Sequence, residues 1–188
     1  EARDLLEKKT EELTAVSRRD SLTPLLNRRA AKEDINALIV QSSCAFFPLS
    51  FLLLDIDFFK NINDSFGHKV GDRVLINLSK VILGQVRETD VVARWGGEEF
   101  LIVLYQATFE SIKCFSERLH SAISTILLPD GRPITVSIGG SVLDKNGLAQ
   151  SDVIASQLLK ADKALYSAKQ NQKGHTRIMD ESGEFIVV

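Results

Sequence analysis

Largely apolar runs of strand length alternate with segments of helical period along most of this 188-residue chain. The second and third runs flank Gly96-Gly97-Glu98-Glu99, which indicates a tight hairpin. A hairpin set between crossover connections predicts an α/β fold with a mixed, partly antiparallel central sheet flanked by helices. The predicted strands are residues 49–54, 91–95, 100–105, 134–142 and, near the end, 176–179.

Segments with apolar residues at helical spacing predict the covering helices. Val70, Val74 and Leu78 recur at every fourth position, as on the inner face of a helix. Thr23 is predicted to cap a helix that starts at Pro24, because the missing N–H of proline costs nothing at a first helical position. The predicted helices are residues 24–40, 70–82, 109–126 and 154–168.

Residues 1–19 are dense in helix formers and contain neither Gly nor Pro, so they predict an exposed N-terminal helix. Leu6 and Leu13 are one heptad apart, which permits a coiled coil; a frayed helical tail is the alternative. We expect a helical linker over 1–19, one domain over 20–180 and a C-terminal tail over 181–188. Because the chain begins inside a helix and without Met, we also expect a sensory or receiver module upstream in a longer protein.

The charge balance excludes several classes of partner. With 23 basic and 25 acidic residues, the net charge is −2, and no global positive field would attract nucleic acid or anionic lipid. No apolar run approaches the ~20 residues that cross a bilayer. Cys44 and Cys114 provide neither a disulfide framework nor a zinc spacing. We therefore expect a cytoplasmic fragment with no nucleic-acid partner and no membrane contact, compatible with an anchor upstream in the full-length protein.

Asp55 and Asp57 follow the most apolar strand at i and i+2, so their side chains project from the same face. Unpaired carboxylates at the end of a buried strand are costly, which predicts a basic side chain or a metal nearby. The alternative is that both acids face water or cap the next helix. An EF-hand is excluded, because Phe59 and Lys60 stand where it needs an oxygen ligand and a glycine.

Glu98 and Glu99 form a second acidic pair, in a turn where Gly96 and Gly97 are expected to allow positive φ and close approach to a ligand. The alternative is a plain hairpin turn with exposed acids. If the hairpin lies beside the 49–54 strand, the two acidic pairs converge at one sheet edge. Convergent carboxylates with few neighbouring His or Cys favour Mg²⁺, which usually also takes substrate phosphates as ligands. This pattern predicts a Mg²⁺-dependent phosphoryl or nucleotidyl transfer.

A polar segment at residues 60–72 surrounds two glycines just before a predicted helix. Asn and Asp side chains can together bind a guanine edge, and Lys60 and Lys69 could contact phosphate. The alternative is a polar loop with Asx turns and a helix cap.

Several motifs stand in order over about residues 20–179: DSLTPLLNRR at 20–29, DIDFFKNIND at 55–64, Gly67-His68, Gly71-Asp72, RWGGEEF at 94–100 and ADKALYSAK at 161–169. Together they resemble one family, the GGDEF diguanylate cyclases, in the GGEEF variant. The resemblance implies a fold similar to nucleotidyl cyclases and polymerase palms, with the N-terminal helix as a signalling helix. It implies that two GTP are condensed to cyclic di-GMP and two pyrophosphates at a homodimer interface, a nucleotidyltransferase step of bacterial signal transduction.

The resemblance also implies roles for individual residues. Asp55, the Ile56 carbonyl and Glu98 would bind Mg²⁺, with Mn²⁺ as the alternative ion, and Glu99 would support the metal. Glu98 would also help to deprotonate the attacking 3′-hydroxyl. The implied substrate-binding residues are Asn63 and Asp72 at guanine, His68 nearby, Lys60 (also in the catalytic set with Glu98 and Glu99) and Lys169 at phosphate, and Gly96 and Gly97 in the turn.

Arg87 and Asp90 match the RxxD inhibitory site of the family, and Arg118 resembles its auxiliary product contact. An arginine fork and a carboxylate could grip the phosphate and guanine of cyclic di-GMP. A surface ion pair in a loop is the alternative. The resemblance therefore predicts allosteric product inhibition.

Two departures from the family pattern stand out. Pro24 replaces the usual Gly, and residues 170–177 replace the usual Gly-Arg-Asn turn, so that His175 stands where an arginine is expected and Lys173 or Arg177 could substitute. The alternative function is a non-catalytic module that binds GTP or cyclic di-GMP. Degenerate members of the family typically lose the turn acids, which this chain retains.

Overall fold

A six-stranded sheet in the order β2-β3-β1-β4-β5-β6 forms the centre of the computed structural model, which describes residues 17–45, 47–143, 147–149, 152–171, 173–180 and 183–188. The strands are β1 (Leu49–Ile56), β2 (Val91–Arg94), β3 (Glu99–Tyr105), β4 (Val136–Leu143), β5 (Thr176–Met179) and β6 (Phe185–Val187). The helices are α1 (Arg28–Ala45), α2 (Phe59–Phe66), α3 (His68–Leu83), α4 (Phe109–Ile123) and α5 (Val153–Asn171), with a 3₁₀ turn at Gly147–Ala149.

The predicted mixed sheet flanked by helices is confirmed. β1 lies between β3 and β4 and pairs antiparallel with both, whereas β4 and β5 are parallel. No helix among the described residues is long and apolar enough to span a bilayer. The predicted helix and coiled coil over 1–19 fall outside the described residues, except for residues 17–19.

Every residue of β1 is buried, because helices cover both faces of the sheet. Successive side chains of a strand point to opposite faces. Leu52 and Leu54 therefore pack with apolar residues of α3 and α4, while Phe51 and Leu53 pack with those of α1 and α5. The central strand is thus packed on both faces, and the predicted acidic site follows its C-terminal end.

The prediction that a helix begins at Pro24 under a Thr23 cap is wrong. α1 begins at Arg28, and the side chain of Asn27 caps it by accepting a hydrogen bond of 2.9 Å from the Ala30 N–H. The Thr23 hydroxyl instead donates to Asp20 Oδ1 over 2.8 Å. Residue Leu26 is held in extended backbone by hydrogen bonds to the edge of β2, so the helix cannot start before it.

Two further elements differ from the sequence-based prediction. The polar segment 60–72 is not a loop, since residues 60–66 lie in α2 and residues 68–72 in α3. Helix α2 follows Phe58, which has left-handed backbone (φ 58°). β6 was not predicted, and it pairs antiparallel with β5.

Candidate active site

Three acidic residues, which we call the carboxylate edge, meet where β1 ends and β3 begins: Asp55, Glu98 and Glu99. The register places Asp55 directly opposite Glu99, and Glu98 precedes it in the hairpin turn. The predicted position of the hairpin beside the 49–54 strand is confirmed, and it places Asp55 next to the Glu98-Glu99 pair. Neither motif alone could establish it, since it depends on β3 pairing with β1.

Asp55 is 6% exposed, and the cation predicted to compensate its charge is Lys169 on α5. The Lys169 Nζ lies 2.8 Å from Asp55 Oδ1. Burial raises the pKa of Asp55 above its usual value, the bond and charge of Lys169 oppose that rise, and the charge of Asp57 adds to it. The site thus holds a carboxylate that is expensive to keep ionised without a cation.

Glu98 is subject to the same effects. Burial raises its pKa, and the negative charges of Asp55 and then Glu99 raise it further, while Lys169 opposes them. The repulsion means that the three carboxylates of this edge favour a bound cation at neutral pH.

The donor chemistry fits a hard divalent ion. Carboxylates and a backbone carbonyl at Ile56 are oxygen donors of the kind Mg²⁺ prefers. Within the described part of the chain, no three His, Cys, Asp or Glu side chains stand together closely enough to form a ready-made ligand set. The match therefore rests on the donor types and their mutual repulsion.

Asp57 is stabilised differently from Asp55. It is 4% exposed, and its carboxylate accepts hydrogen bonds from the Thr135 hydroxyl at 2.8 Å and the Ser137 hydroxyl at 2.7 Å. Its backbone N–H donates to the Thr135 carbonyl at 2.9 Å. Asp57 therefore ties the end of β1 to the start of β4, next to the predicted metal ligands.

The expectation that Gly96 and Gly97 adopt positive φ is wrong, since neither is among the positive-φ glycines. A Cβ at Gly96 would lie 2.8 Å from Glu99 Oε2, the end of a flexible side chain, so a larger residue there would displace the Glu99 carboxylate. Gly97 has open space around its Cα, with no atom within 4 Å of where a Cβ would be. The Arg94 guanidinium holds this turn by donating two hydrogen bonds, of 2.7 and 3.1 Å, to the Gly97 carbonyl.

Arg94 also links the turn to the N-terminal part of the domain. Its Nη1 lies 3.2 Å from Asp20 Oδ1, and that oxygen also accepts hydrogen bonds from the N–H and hydroxyl of Thr23. Asp20 and Arg94 lie within two of the family motifs, and no role was predicted for either residue. The only signal in the sequence was an acidic residue in one motif and a basic residue in another, 74 positions apart.

Replacing Asp20 with alanine is expected to lower the free energy of unfolding by about 1–3 kcal/mol at pH 7. Burial acts to raise the pKa of Asp20, but the hydrogen bonds from Thr23 and the charge of Arg94 lower it below its usual value. A lowered native pKa gives stability that is present above the ordinary value of 3.8 and lost as the pH falls through the native value. The difference in free energy of unfolding between wild type and Asp20→Ala, measured with urea, should therefore become smaller from pH 5 to pH 3. Asp130→Ala is the control, because Asp130 pairs with Arg132 on the surface, and it should lower the free energy of unfolding by less.

The predicted guanine-binding residues lie where α2 meets α3. The Asn63 side chain packs against Gly71, so closely that a Cβ at Gly71 would overlap Asn63 Oδ1. Asp72 follows at the exposed start of α3. Lys60 and His68 are exposed in the first turns of α2 and α3.

The two candidate substitutes for the missing arginine have different partners. Lys173 lies in the turn between α5 and β5, and Arg177 lies on β5. Lys173 Nζ lies 3.7 Å from the centre of the Phe58 ring, and its charge acts on Asp55. Arg177 instead donates from Nη1 to the Ser167 hydroxyl over 2.9 Å. Of these two residues, Lys173 is therefore the one whose charge lowers the pKa of Asp55.

A second cleft, of about 380 Å³, brings together the predicted product-site residues Arg87, Asp90 and Arg118. Asp90 accepts hydrogen bonds from the backbone N–H groups of Arg87 at 2.8 Å and Tyr105 at 2.9 Å. Arg118 donates to the Gln85 side chain and carbonyl, both at 2.9 Å. Tyr105 ends the strand that Glu99 begins, so this cleft lies about 20 Å from the carboxylate edge at the strand rise of ~3.4 Å per residue.

Known proteins are similar to this chain both in sequence and in fold. The family model described as "Diguanylate cyclase, GGDEF domain" matches residues 17–175. The chain is 40% identical to Diguanylate cyclase A of Treponema denticola over 131 residues, which are 69% of this chain and 34% of that protein. It is 36% identical to the response regulator PleD of Caulobacter vibrioides over 155 residues, which are 80% of this chain and 33% of that protein.

Among solved structures, the chain is similar to the GGDEF domain of DgcB from Caulobacter crescentus, crystallised in complex with c-di-GMP. The TM-score is 0.77 at 26% identity, over 86% of this chain and 92% of that one. The chain spans about a third of the length of the two curated relatives.

Proposed function

Because the chain belongs to the GGDEF family of diguanylate cyclases, we propose that it condenses two GTP molecules into cyclic di-GMP and two pyrophosphates. The carboxylate edge carries this proposal: Asp55 stands in register with Glu99, with Glu98 beside it and its pKa raised. The relatives named diguanylate cyclase support the same activity. Intact turn acids favour catalysis over the alternative of a module that only binds nucleotide.

In the proposed reaction, the 3′-oxygen of one GTP attacks the α-phosphorus of the other, and the bond to the departing pyrophosphate breaks. A second, equivalent attack closes the ring. Asp55, Glu98 and the Ile56 carbonyl would hold Mg²⁺, or Mn²⁺ in its place, with Glu99 in support. When bound, the ion supplies charge neutralisation at the phosphates and lowers the pKa of the hydroxyl.

Glu98 is the proposed acceptor of the 3′-hydroxyl proton. A carboxylate whose pKa is raised by burial and by like charges is a stronger base than an exposed one. Lys169 is the proposed phosphate ligand from α5, where it now neutralises Asp55. Lys173 takes the position proposed for the missing arginine, and Lys60 contributes from α2.

The proposed base recognition uses Asn63 and Asp72, with His68 nearby. A carboxylate accepts from the N1–H and amino group of guanine, a donor pair that adenine lacks. Each domain binds one GTP in this scheme, so two copies must meet as a homodimer for the attack to occur. An upstream module could then control activity through the placement of the two copies.

The test is to measure cyclic di-GMP formed from GTP and Mg²⁺ by chromatography over a wide range of protein concentration. We expect the rate to rise faster than linearly with protein concentration while dimer formation is incomplete. If a demonstrably dimeric chain binds GTP but forms no cyclic di-GMP, the catalytic proposal is wrong and the binding module is favoured.

We further propose that the cleft holding Arg87, Asp90 and Arg118 binds cyclic di-GMP and inhibits the enzyme. The support is that three residues from two separate segments line one cleft. The cleft also contacts β3, since Asp90 accepts a hydrogen bond from Tyr105. Binding there could therefore influence the strand that carries Glu99.

Replacing Arg87 with alanine is expected to raise the cyclic di-GMP concentration needed for half-inhibition by at least about tenfold, because a charge-assisted contact to phosphate is lost. Arg87 is a cleaner target than Asp90, whose carboxylate also accepts two backbone N–H groups. Initial rates at increasing added cyclic di-GMP give the measurement. Arg73→Ala, at an exposed arginine of α3, is the control. An inhibition curve for Arg87→Ala that overlays wild type would refute the assignment.

A further inference from the structure

Phe58 combines two features that a bulky residue rarely shows together, left-handed backbone and an exposed side chain. Its φ is 58°, and Gln106 is the only other residue of the described chain, glycines aside, with a positive φ. Its side chain is 57% exposed and belongs to neither of the apolar clusters that line the two faces of the sheet. Strained backbone is concentrated at active sites and ligand clamps, so a strained residue outside the core points to a functional reason.

The ring of Phe58 contacts a cation. The Lys173 Nζ lies 3.7 Å from the ring centre, within the range of a cation–π interaction. Lys169 is paired with Asp55, whereas Lys173 forms no ion pair and no hydrogen bond with any residue that the structure describes. The ring therefore holds the Lys173 ammonium while its three N–H donors remain available to a ligand.

Asp57 fixes the backbone on both sides of this contact. Phe58 follows Asp57 directly, and the Asp57 N–H and carboxylate are both hydrogen-bonded to the start of β4. The Gly174 N–H, next to Lys173, donates to the Ser137 hydroxyl at 3.4 Å, and that hydroxyl donates to Asp57 Oδ1 at 2.7 Å. The ring and the ammonium are thus carried by two backbone segments that the same carboxylate ties to β4.

The position of this ammonium suits the outer phosphates of a nucleotide. Phe58 is the residue from which α2 begins, and the first turn of that helix has neither a capping side chain nor an acidic residue. An uncapped helix start is electropositive, so an ammonium group beside it is stabilised by a bound anion. The charge of Lys173 also acts on Asp55 of the carboxylate edge, where Mg²⁺ would take phosphate oxygens as ligands.

A lysine at this position needs support from a neighbour. Lys173 is the proposed substitute for the arginine expected in this turn, and an arginine could hold two phosphate oxygens with its planar guanidinium. The lysine ammonium is instead a compact charge on a flexible four-carbon stem. A ring that restricts the ammonium to one side of the α2 start reduces the conformational freedom that is lost when phosphate binds.

We propose that Phe58 is a positioning residue for the triphosphate of GTP, because its ring holds the Lys173 ammonium beside the start of α2, where it binds the outer phosphates. Asp57 supports both partners through its hydrogen bonds to β4. The inference rests on the proposed function, since that function makes GTP the ligand.

The first experiment measures binding of 3′-deoxy-GTP, which lacks the attacking hydroxyl, by isothermal titration calorimetry with Mg²⁺. Phe58→Leu keeps an apolar side chain but removes the π face, and it should raise the dissociation constant about three- to fivefold. Phe58→Tyr keeps the ring and should bind as wild type does. A dissociation constant of Phe58→Leu equal to that of wild type, or one of Phe58→Tyr equal to that of Phe58→Leu, would overturn the proposal.

The second experiment tests whether Phe58 acts through Lys173. Lys173→Met should raise the dissociation constant of 3′-deoxy-GTP at least about tenfold, since a charge-assisted contact to phosphate is lost. Lys80→Met, at an exposed lysine in the last turn of α3, is the matched control and should bind as wild type does. Adding Phe58→Leu to Lys173→Met should weaken binding no further. An equal effect of Phe58→Leu with and without Lys173 would show that the ring acts on its own, and the proposal would be wrong.

GMP locates the effect on the nucleotide, because it has neither of the two outer phosphates. Its affinity, measured by competition with 3′-deoxy-GTP, should be the same in wild type, Phe58→Leu and Lys173→Met. Weakening of GMP by the same factor as 3′-deoxy-GTP would assign the effect to the base or the sugar and would contradict the role of Phe58.

The outcomes also separate this inference from the catalytic proposal. The expected binding results, together with no cyclic di-GMP from GTP in a dimeric wild-type chain, would keep the role of Phe58 and reject the activity. Cyclic di-GMP formation with an unchanged KM for GTP in Phe58→Leu would keep the activity and reject the role of Phe58.

Discussion

Replacing Glu98 with glutamine is expected to reduce cyclic di-GMP formation by at least about 100-fold, the effect typical of a lost general base. Glutamine keeps the size of the side chain but cannot accept the proton of the 3′-hydroxyl, and it offers the metal a neutral donor. The rate from GTP and Mg²⁺, measured at a protein concentration where wild type is dimeric, gives the comparison. Glu117→Gln, at an exposed residue of α4, is the control and should retain wild-type activity.

The stability of the same variant shows whether the loss is chemical. Burial and two neighbouring carboxylates raise the pKa of Glu98 in the native state. A raised carboxyl pKa means that ionisation costs native stability as the pH rises through the ordinary value of 4.5 towards the native one. Glu98→Gln should therefore unfold at an equal or higher urea concentration than wild type at pH 7, with the gain vanishing at pH 4. Retained turnover in this variant, or a large loss of stability at pH 7, would contradict the assignment.

Replacing Gly139 with alanine is expected to lower the free energy of unfolding by about 3 kcal/mol or more, because overpacking against backbone cannot be relieved by rotating a side chain. Gly139 lies on β4, where α5 crosses it. A Cβ there would overlap the Ala161 carbonyl oxygen and the Leu165 nitrogen, both in the backbone of α5. At ~2–4 °C per kcal/mol for a chain of this size, the melting temperature should fall by roughly 6–12 °C.

Gly140→Ala is the matched control on the neighbouring residue, which faces the other side of the sheet. Its Cβ would first meet Leu52 Cδ2 at 2.8 Å, the end of a side chain that can shift, so a loss of about 1 kcal/mol is expected. Thermal and urea unfolding of both variants give the comparison. Equal losses in the two would show that α5 can move away from β4. Because α5 carries Lys169, Gly139→Ala should also lower activity, through displacement of that residue.

Much of the fold could be predicted because the information is local. The repeat of Val70, Val74 and Leu78 required only helical periodicity, and α3 contains all three. The apolar run at 49–54 required only a strand buried on both faces, and β1 is buried throughout. The hairpin was predicted from its glycines and flanking strands, and β2 and β3 pair as expected.

The errors occurred where distant residues decide local structure. Thr23 and Pro24 form a good helix start in isolation, but Asp20 binds Thr23 and Arg94, and Leu26 pairs with β2. β6 forms because β5 offers it a free edge, and nothing in a short exposed apolar strand predicts that partner. The turn glycines at 96 and 97 were explained by positive φ, which neither of them adopts, because the pairing of β2 with β3 sets the backbone of the turn.

The amino-acid sequence by itself determined the element types, the two acidic pairs and the family motifs, because each depends on residues close together in the chain. Only the tertiary structure decided that Asp55 faces Glu99, that Lys169 rather than another base neutralises Asp55, and that Lys173 rather than Arg177 acts on the site. It also decided that Arg94 joins Asp20 to the Gly97 turn. The physical reason is the same in each case: strand pairing and helix packing set distances between residues that are far apart along the chain, and charge interactions depend on those distances.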